Sequence, residues 1–113
     1  MVVRIWRGQA TLENASAYCK HVTQTVFPSL TNIQGHQGAY LLQRETNGQV
    51  EFLAVTLWDS IKAIKNFAGE DEETAIVEPA ARAVLADFDD FARHYDLMYG
   101  PECGVTKPAA KPL

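Results

Sequence analysis

Hydrophobic positions follow two rhythms along the chain. Residues 2–6 are mostly β-branched or aromatic, with Arg4 and Arg7 interleaved, and predict a strand over 2–9. Thr11 stands where an N-cap belongs. From it Leu12, Ala15, Cys19, Val22 and Val26 recur at spacings of three and four, an apolar stripe on a helix that Pro28 should end soon after Val26. Gly35 and Gly38 precede a second strand near 38–45. Asn47-Gly48 is a two-residue hairpin signal, because a type I′ turn needs positive φ at both central positions. A third strand follows over 50–58. Asp59 or Ser60 then caps a second helix that turns Ile61, Ala63, Ile64, Phe67 and Ala68 inward and stops at Gly69. The acidic link 69–73 reads as solvated surface. Pro79 opens another short helix with Ala81, Val84, Leu85 and Phe88 inward, and a final strand is predicted over 91–99.

This order is the split βαβ or ferredoxin-like arrangement, an α+β fold whose antiparallel sheet carries helices on one face. The third strand is apolar on both sides: Leu53, Val55 and Leu57 on one, Phe52, Ala54 and Trp58 on the other. A sheet with one wet face alternates, and this one does not. The expectation is a homodimer in which a second subunit packs sheet on sheet.

The 113 residues fit one domain, 1–100, followed by a tail, 101–113, whose Pro101, Gly104, Pro108 and Pro112 predict disorder. With 47% hydrophobic residues the chain should fold. A net charge of −4 without a basic run argues against nucleic acid as a partner. No apolar run approaches the ~20 residues of a membrane span, and the N-terminus does not read as a signal peptide, so the expected location is cytoplasmic. Cys19 and Cys103 are too few for a zinc site and are not expected to pair in a reducing compartment. Phosphate-loop and serine-nucleophile motifs are missing.

Four pieces carry a resemblance: residues 3–8 on strand one, Gly35-x-x-Gly38, the stretch from Thr56 through Trp58, Ser60 and Ala63 to Ile64, and His94-Tyr95 on the last strand. In order and spacing they span roughly 2–97, and the chain resembles the antibiotic-biosynthesis-monooxygenase family. The resemblance implies a dimeric α+β barrel with a pocket between each sheet and its helices. Some members oxidise polycyclic aromatics or quinols with O₂ and no metal or flavin, and one branch binds and degrades haem. That branch uses an Asn late on strand one, a Trp on helix two and a His about ten residues beyond it. The corresponding positions here hold Arg7 or Gly8, Phe67 and Val77, so haem degradation by that mechanism is not expected.

His94 is the catalytic candidate. An imidazole near neutral pH can take a proton from a phenol or quinol, leaving the electron-rich anion that O₂ oxidises. Its bland alternative is a strand histidine bonded to a neighbour or buried at a dimer contact. Trp6 and Trp58 are candidates for an aromatic wall, with core packing the stronger reading for Trp58. Tyr40 and Tyr95 are candidate donors to a substrate oxygen or, alternatively, to protein groups. Phe67 lines a pocket or fills the core. Arg4 and Arg44 sit in apolar strands, so each either meets an acidic or enolate substrate or forms a salt bridge at the dimer edge. His21, on the polar side of helix one, and His36, in a loop, are expected to be solvated. Three histidines on separate elements lack ligand spacing, and neither metal nor cofactor is expected. Parity leaves open whether Arg4, Trp6 and Gly8 or Val3, Ile5 and Arg7 face the helices; the family pattern suggests the former. The leading expectation is a small cofactor-independent oxygenase acting on an aromatic or quinone-like molecule. The alternative is a non-catalytic dimeric ligand-binding or stress-associated module of the same fold.

Overall fold

The computed structural model describes residues 1–100; the tail, with Cys103 and its predicted disorder, lies outside the described residues. Strand β1 (Val2–Thr11) runs through the middle of an antiparallel sheet. β3 (Gln49–Trp58) pairs along one edge of it over its full length, and β2 (His36–Thr46) pairs beyond β3. The β2–β3 hairpin turns at Asn47 (φ 51°) and Gly48 (φ 76°), both positive as the type I′ turn demands. The other edge of β1 takes β4 (Asp87–Phe88) at Gly8 and Gln9, and β5 (Arg93–Asp96) at residues 2–5. This strand order is ferredoxin-like.

The final strand expected over 91–99 is β5 alone, and Phe88, expected on the inner face of the helix opened by Pro79, instead lies in β4, past the end of that helix at Val84. Between β4 and β5 the chain turns away from β1 to bond with the link ahead of it. Asp90 accepts from the Ala75 N–H at 3.1 Å, and Ala92 donates to the Glu73 carbonyl at 2.8 Å.

Helix α1 (Leu12–His21) starts where Thr11 Oγ1 accepts from the Asn14 N–H at 3.2 Å. Pro28 does not end the helical run. A π-helical turn (Val22–Val26) leads into α2 (Phe27–Leu30), and the Phe27 N–H bonds to the Val22 carbonyl five residues back. The widened turn shifts the register, so the proline ring falls in the first turn of α2, where its missing donor costs least. The predicted stripe holds at Ala15, Cys19 and Val22, which pack into the core, but Leu12 is 54% exposed and Tyr18 joins the buried side. Helix α3 (Ile61–Ala68) is capped by Ser60 Oγ, which accepts from the Ala63 N–H at 3.1 Å; α4 (Pro79–Val84) follows the link 69–78.

Residues opposite one another across a ladder share a face. Val2, Arg4, Trp6, Gly8 and Ala10 therefore look toward the helices with Trp58, Thr56, Ala54, Phe52 and Val50. Two separate cores form on that side. Ala10, Val50 and Phe52 pack with Tyr18, Val22 and Ala81 at one end. Val2 and Trp58 pack with Ala63 and Ile64 at the other. Trp58 is wholly buried, edge-on to His36 and stacked on Phe67. His36 thus opens β2 with its ring in a core, not in solvated loop, and burial pulls its pKa below 6.5 against an opposing hydrogen bond with the Gly38 backbone.

Gly35 (φ 92°) touches α3 so closely that a Cβ there would lie 2.4 Å from Ala63 Cβ, whereas Gly69 (φ 90°) meets nothing. Both lie in the left-handed half of φ, so the pair separates backbone strain from steric clash. We expect Gly35→Ala to destabilise the fold by about 1–3 kcal/mol more than Gly69→Ala, measured by urea unfolding. Equal losses would mean that α3 is free to move off Gly35.

Candidate functional site

The two cores cover the ends of the sheet and leave its middle to small or polar side chains. Ala54, Thr56, Arg4 and Trp6 floor a cavity of about 90 Å³. Tyr18, His21, Val22 and Val26 wall it from the first helical run, with Phe27 and Leu30 beyond. Phe67 closes the α3 end, and residues 75–78 with Ala81 form the remaining wall. Apolar cavities of about 150 Å³ hold benzene, and drug-sized ligands occupy about 300–1,000 Å³. At about 90 Å³ the space as it stands is smaller than either, so a ligand of one ring would fill it and extend through its open side.

Arg4 is 5% exposed. Its Nη1 donates to the Glu72 carbonyl and to His94 Nε2 (2.9 Å), and its Nη2 donates to the Thr74 carbonyl at 2.7 Å. Its Cζ lies 5.6 Å from the centre of the Phe67 ring. Desolvation lowers its pKa to about 10. Among the described residues Arg4 forms no salt bridge, while Arg44 forms one within the chain, Nε to Glu51 at 2.8 Å. Trp6 lies across Gly8, where a Cβ would come 3.0 Å from the indole, and its Nε1 donates to the Asp89 carbonyl at 2.7 Å.

Two polar side chains stand at the helical wall, Tyr18 and His21. Tyr18 is 2% exposed and packs its ring on Phe52. Burial raises its pKa above the ordinary 10.0, so it stays a donor. His21 Nε2 is buried without a hydrogen bond and sits 3.6 Å from Glu78 Oε2, close enough for an ion pair once the ring is protonated. The expectation of a solvated His21 fails because the helix turns this side chain in with Tyr18 and Val22. Spacings of three and four from Tyr18 were the available signal.

Of the predicted site residues, Arg4, Trp6 and Phe67 meet at the cavity, and so does Val77. Trp58 lies in the core. Tyr40 and Tyr95 stand half-exposed on the opposite sheet face, opposite Val55 and Val3. His94 lies behind Arg4, in an open depression bordered by Glu73, Phe91 and Tyr95. Arginine only donates, so the bonded His94 Nε2 must accept and the ring is neutral. Desolvation and the charge of Arg4 both lower its pKa below 6.5, against weaker opposing pulls from Glu72 and Glu73. Tyr18, His21, Thr56 and Glu78 were not anticipated at the site.

Solved structures share this architecture. A Deinococcus radiodurans protein proposed to be an antibiotic biosynthesis monooxygenase superposes with a TM-score of 0.62 at 14% identity, covering 88% of this chain and 95% of its own. The haem degrader MhuD of Mycobacterium tuberculosis, with two haems bound in its active site, gives 0.57 at 19% identity, covering 88% and 98%. A MhuD variant with two manganese protoporphyrin IX molecules per active site gives 0.57 at 18%, covering 88% and 97%. No protein-family profile and no curated protein matches the chain. The domain is thus of the ferredoxin-like α+β class. Within that class its fold is the one seen in antibiotic-biosynthesis-monooxygenase proteins, and likeness at this identity carries fold and not chemistry.

Haem does not fit the cavity. A tetrapyrrole has no room in about 90 Å³, and the positions set against the haem-degrading pattern hold Phe67 and Val77, both on its wall. Among the described residues no three or more His, Cys, Asp or Glu gather as a metal site, and no helix is long and apolar enough to cross a membrane.

His94 and His36 are held with pKa values below 6.5 in the folded state, so the unfolded chain protonates first as pH falls. Their contribution is present above pH 6.5 and is lost below it. The urea midpoint should therefore drop between about pH 7.5 and about pH 5.5, and His94→Gln should shrink that drop. An undiminished drop in the variant would mean that the Arg4–His94 bond does not hold the ring neutral.

Proposed function

We propose that the chain is a small-molecule enzyme of the cofactor-independent oxygenase type, taking a phenolic or enolisable molecule of one ring or less into the sheet–helix cavity. The observation that carries this is His21 Nε2, buried at the cavity wall without a hydrogen bond, with the Tyr18 side chain beside it on the same wall. Buried polar groups are almost always bonded, and here a ligand is the missing partner. His21 in the Nδ1–H tautomer offers the Nε2 lone pair as base. Once it holds the proton, the Glu78 carboxylate at 3.6 Å pairs with the imidazolium. Tyr18 donates to the oxygen on which negative charge collects. The carbanion-like substrate then passes an electron to O₂, the radicals combine to a C–OOH bond, and loss of water leaves C=O. The balance is CH₂ + O₂ giving C=O + H₂O. The role first considered for His94 passes to His21, because the His94 lone pair is engaged by Arg4 outside the cavity. His94 then acts by holding Arg4 in place.

O₂ uptake with metal chelated, over a panel of hydroquinones, phenols and anthrones, tests this. We expect turnover with the single-ring compounds, reduced at least about tenfold in His21→Ala and by less in His94→Ala. Uptake unaffected by His21→Ala would end the assigned role. Binding without uptake by any compound would leave the non-catalytic binding module.

The reading includes a homodimer. The sheet face away from the helices exposes Tyr40, Leu42 and Tyr95 beside Val3, Ile5, Leu53 and Val55, an apolar area that sheet-on-sheet packing would cover. Leu42 is 50% exposed, so Leu42→Glu spares the core. Sedimentation should give a dimer for the wild type and a folded monomer for Leu42→Glu; a monomeric wild type would refute the dimer.

A further inference from the structure

Arg4 holds donors that the protein leaves unused. A guanidinium has five N–H groups, and the carbonyls of Glu72 and Thr74 with His94 Nε2 occupy three. The Nε–H and one Nη2–H have no partner among the described residues. These two nitrogens border one edge of the planar group, an edge that receives a carboxylate through two parallel bonds. The residue is 5% exposed and lines the cavity, so what reaches those donors must enter through the cavity.

The contrast with Arg7 on the same strand sharpens the point. On the opposite sheet face Arg7 meets three carboxylates: Asp87 at 3.0 Å, Asp89 at 3.4 Å and Glu51 at 4.0 Å. Arg4 has none among the described residues, although the acidic link runs beside it; Glu72 offers its backbone carbonyl instead. A buried cation without counter-charge is costly unless something supplies one. Its lowered pKa has the same origin.

We infer that the ligand of this cavity carries a carboxylate that docks on the Nε/Nη2 edge of Arg4. Its apolar body lies among Phe67, Val22 and Val77, and a second polar atom lies toward Tyr18 and His21. The ligand class is a small hydroxy- or oxo-acid, flat enough to lie along the sheet. This rests on the cavity reading of the preceding section and narrows it to acids.

The test is titration of the full chain, followed by calorimetry and by the fluorescence of Trp6 and Trp58, with two matched pairs: para-hydroxybenzoate and para-hydroxybenzamide, crotonate and crotonamide. Each pair keeps shape and removes charge. We expect an acid to bind about tenfold or more tighter than its amide. Arg4→Lys, which keeps the charge and loses the edge, should reduce that preference several-fold while still binding the amide. Equal binding of acid and amide overturns the carboxylate inference and leaves the cavity reading standing. Binding of none of the four overturns both. If Arg4→Lys does not fold by circular dichroism, the acid-to-amide ratio in the wild type decides.

Discussion

One buried cation organises the centre of this domain. Arg4 stands at a position of β1 that faces the helices, between Val2 in one core and the Trp6 and Gly8 positions that lead toward the other. An unsatisfied guanidinium there would be too costly to keep. The link after α3 meets the requirement: the carbonyls of Glu72 and Thr74 turn onto Arg4, and β5 brings His94 to the same nitrogen as Glu72. Those bonds pin an irregular segment that has little apolar content of its own. Once pinned, the segment gives backbone partners to residues 90 and 92, which is why β4 and β5 are separate strands. The route of residues 69–78, the split of β4 from β5 and the far wall of the cavity all follow from one charged side chain facing inward.

The cavity follows from how the sheet is covered. Its helix-facing surface is ten residues long in β1 and β3, and α1 and α3 each cover one end. The middle rows carry Ala54 and Thr56 opposite Trp6 and Arg4, and the small floor residues do not reach the helices. The π-turn bears on this too: it carries the first helical run through Pro28, so Val26, Phe27 and Leu30 form a roof where an earlier stop would have left the middle open.

Much of this was legible in the chain, and the failures have physical causes. Signals that depend on one or two residues survived: the Thr11 and Ser60 caps, the Asn47-Gly48 turn, the stop at Gly69 and the two-sided apolar pattern of β3. Arg4, Trp6 and Phe67 line the cavity, and a strand-centred charge and inward aromatics are conspicuous in sequence. His21 was missed because helical periodicity gives a stripe but fixes its edges poorly, and Leu12 drew the stripe toward solvent. Glu78 was missed because nothing local shows that the link returns across α1. Tyr40 and Tyr95 were misassigned by face: the register that places His94 opposite Arg4 puts its neighbour Tyr95 on the other side. Trp58 belongs to the core, as its stronger reading held.

The positions of the two histidines argue for a division of labour across the cavity. His94 gives its lone pair to a permanent cation, and taking a proton there would break that bond and set two positive charges together. His21 has the reverse surroundings, with a carboxylate at 3.6 Å and no bond to lose. In a low-dielectric site, charge is tolerated where its partner is already in place. An acid bound on Arg4 makes that end neutral before any proton moves. In the proposed reaction, transfer to His21 would form imidazolium beside Glu78 and an oxyanion beside Tyr18, so the new charges would appear next to groups able to receive them. Reversing the roles would leave a cation pair at one end and an unanswered Glu78 at the other, and that asymmetry is the argument for proposing anchoring at the Arg4 end and proton transfer at the His21 end.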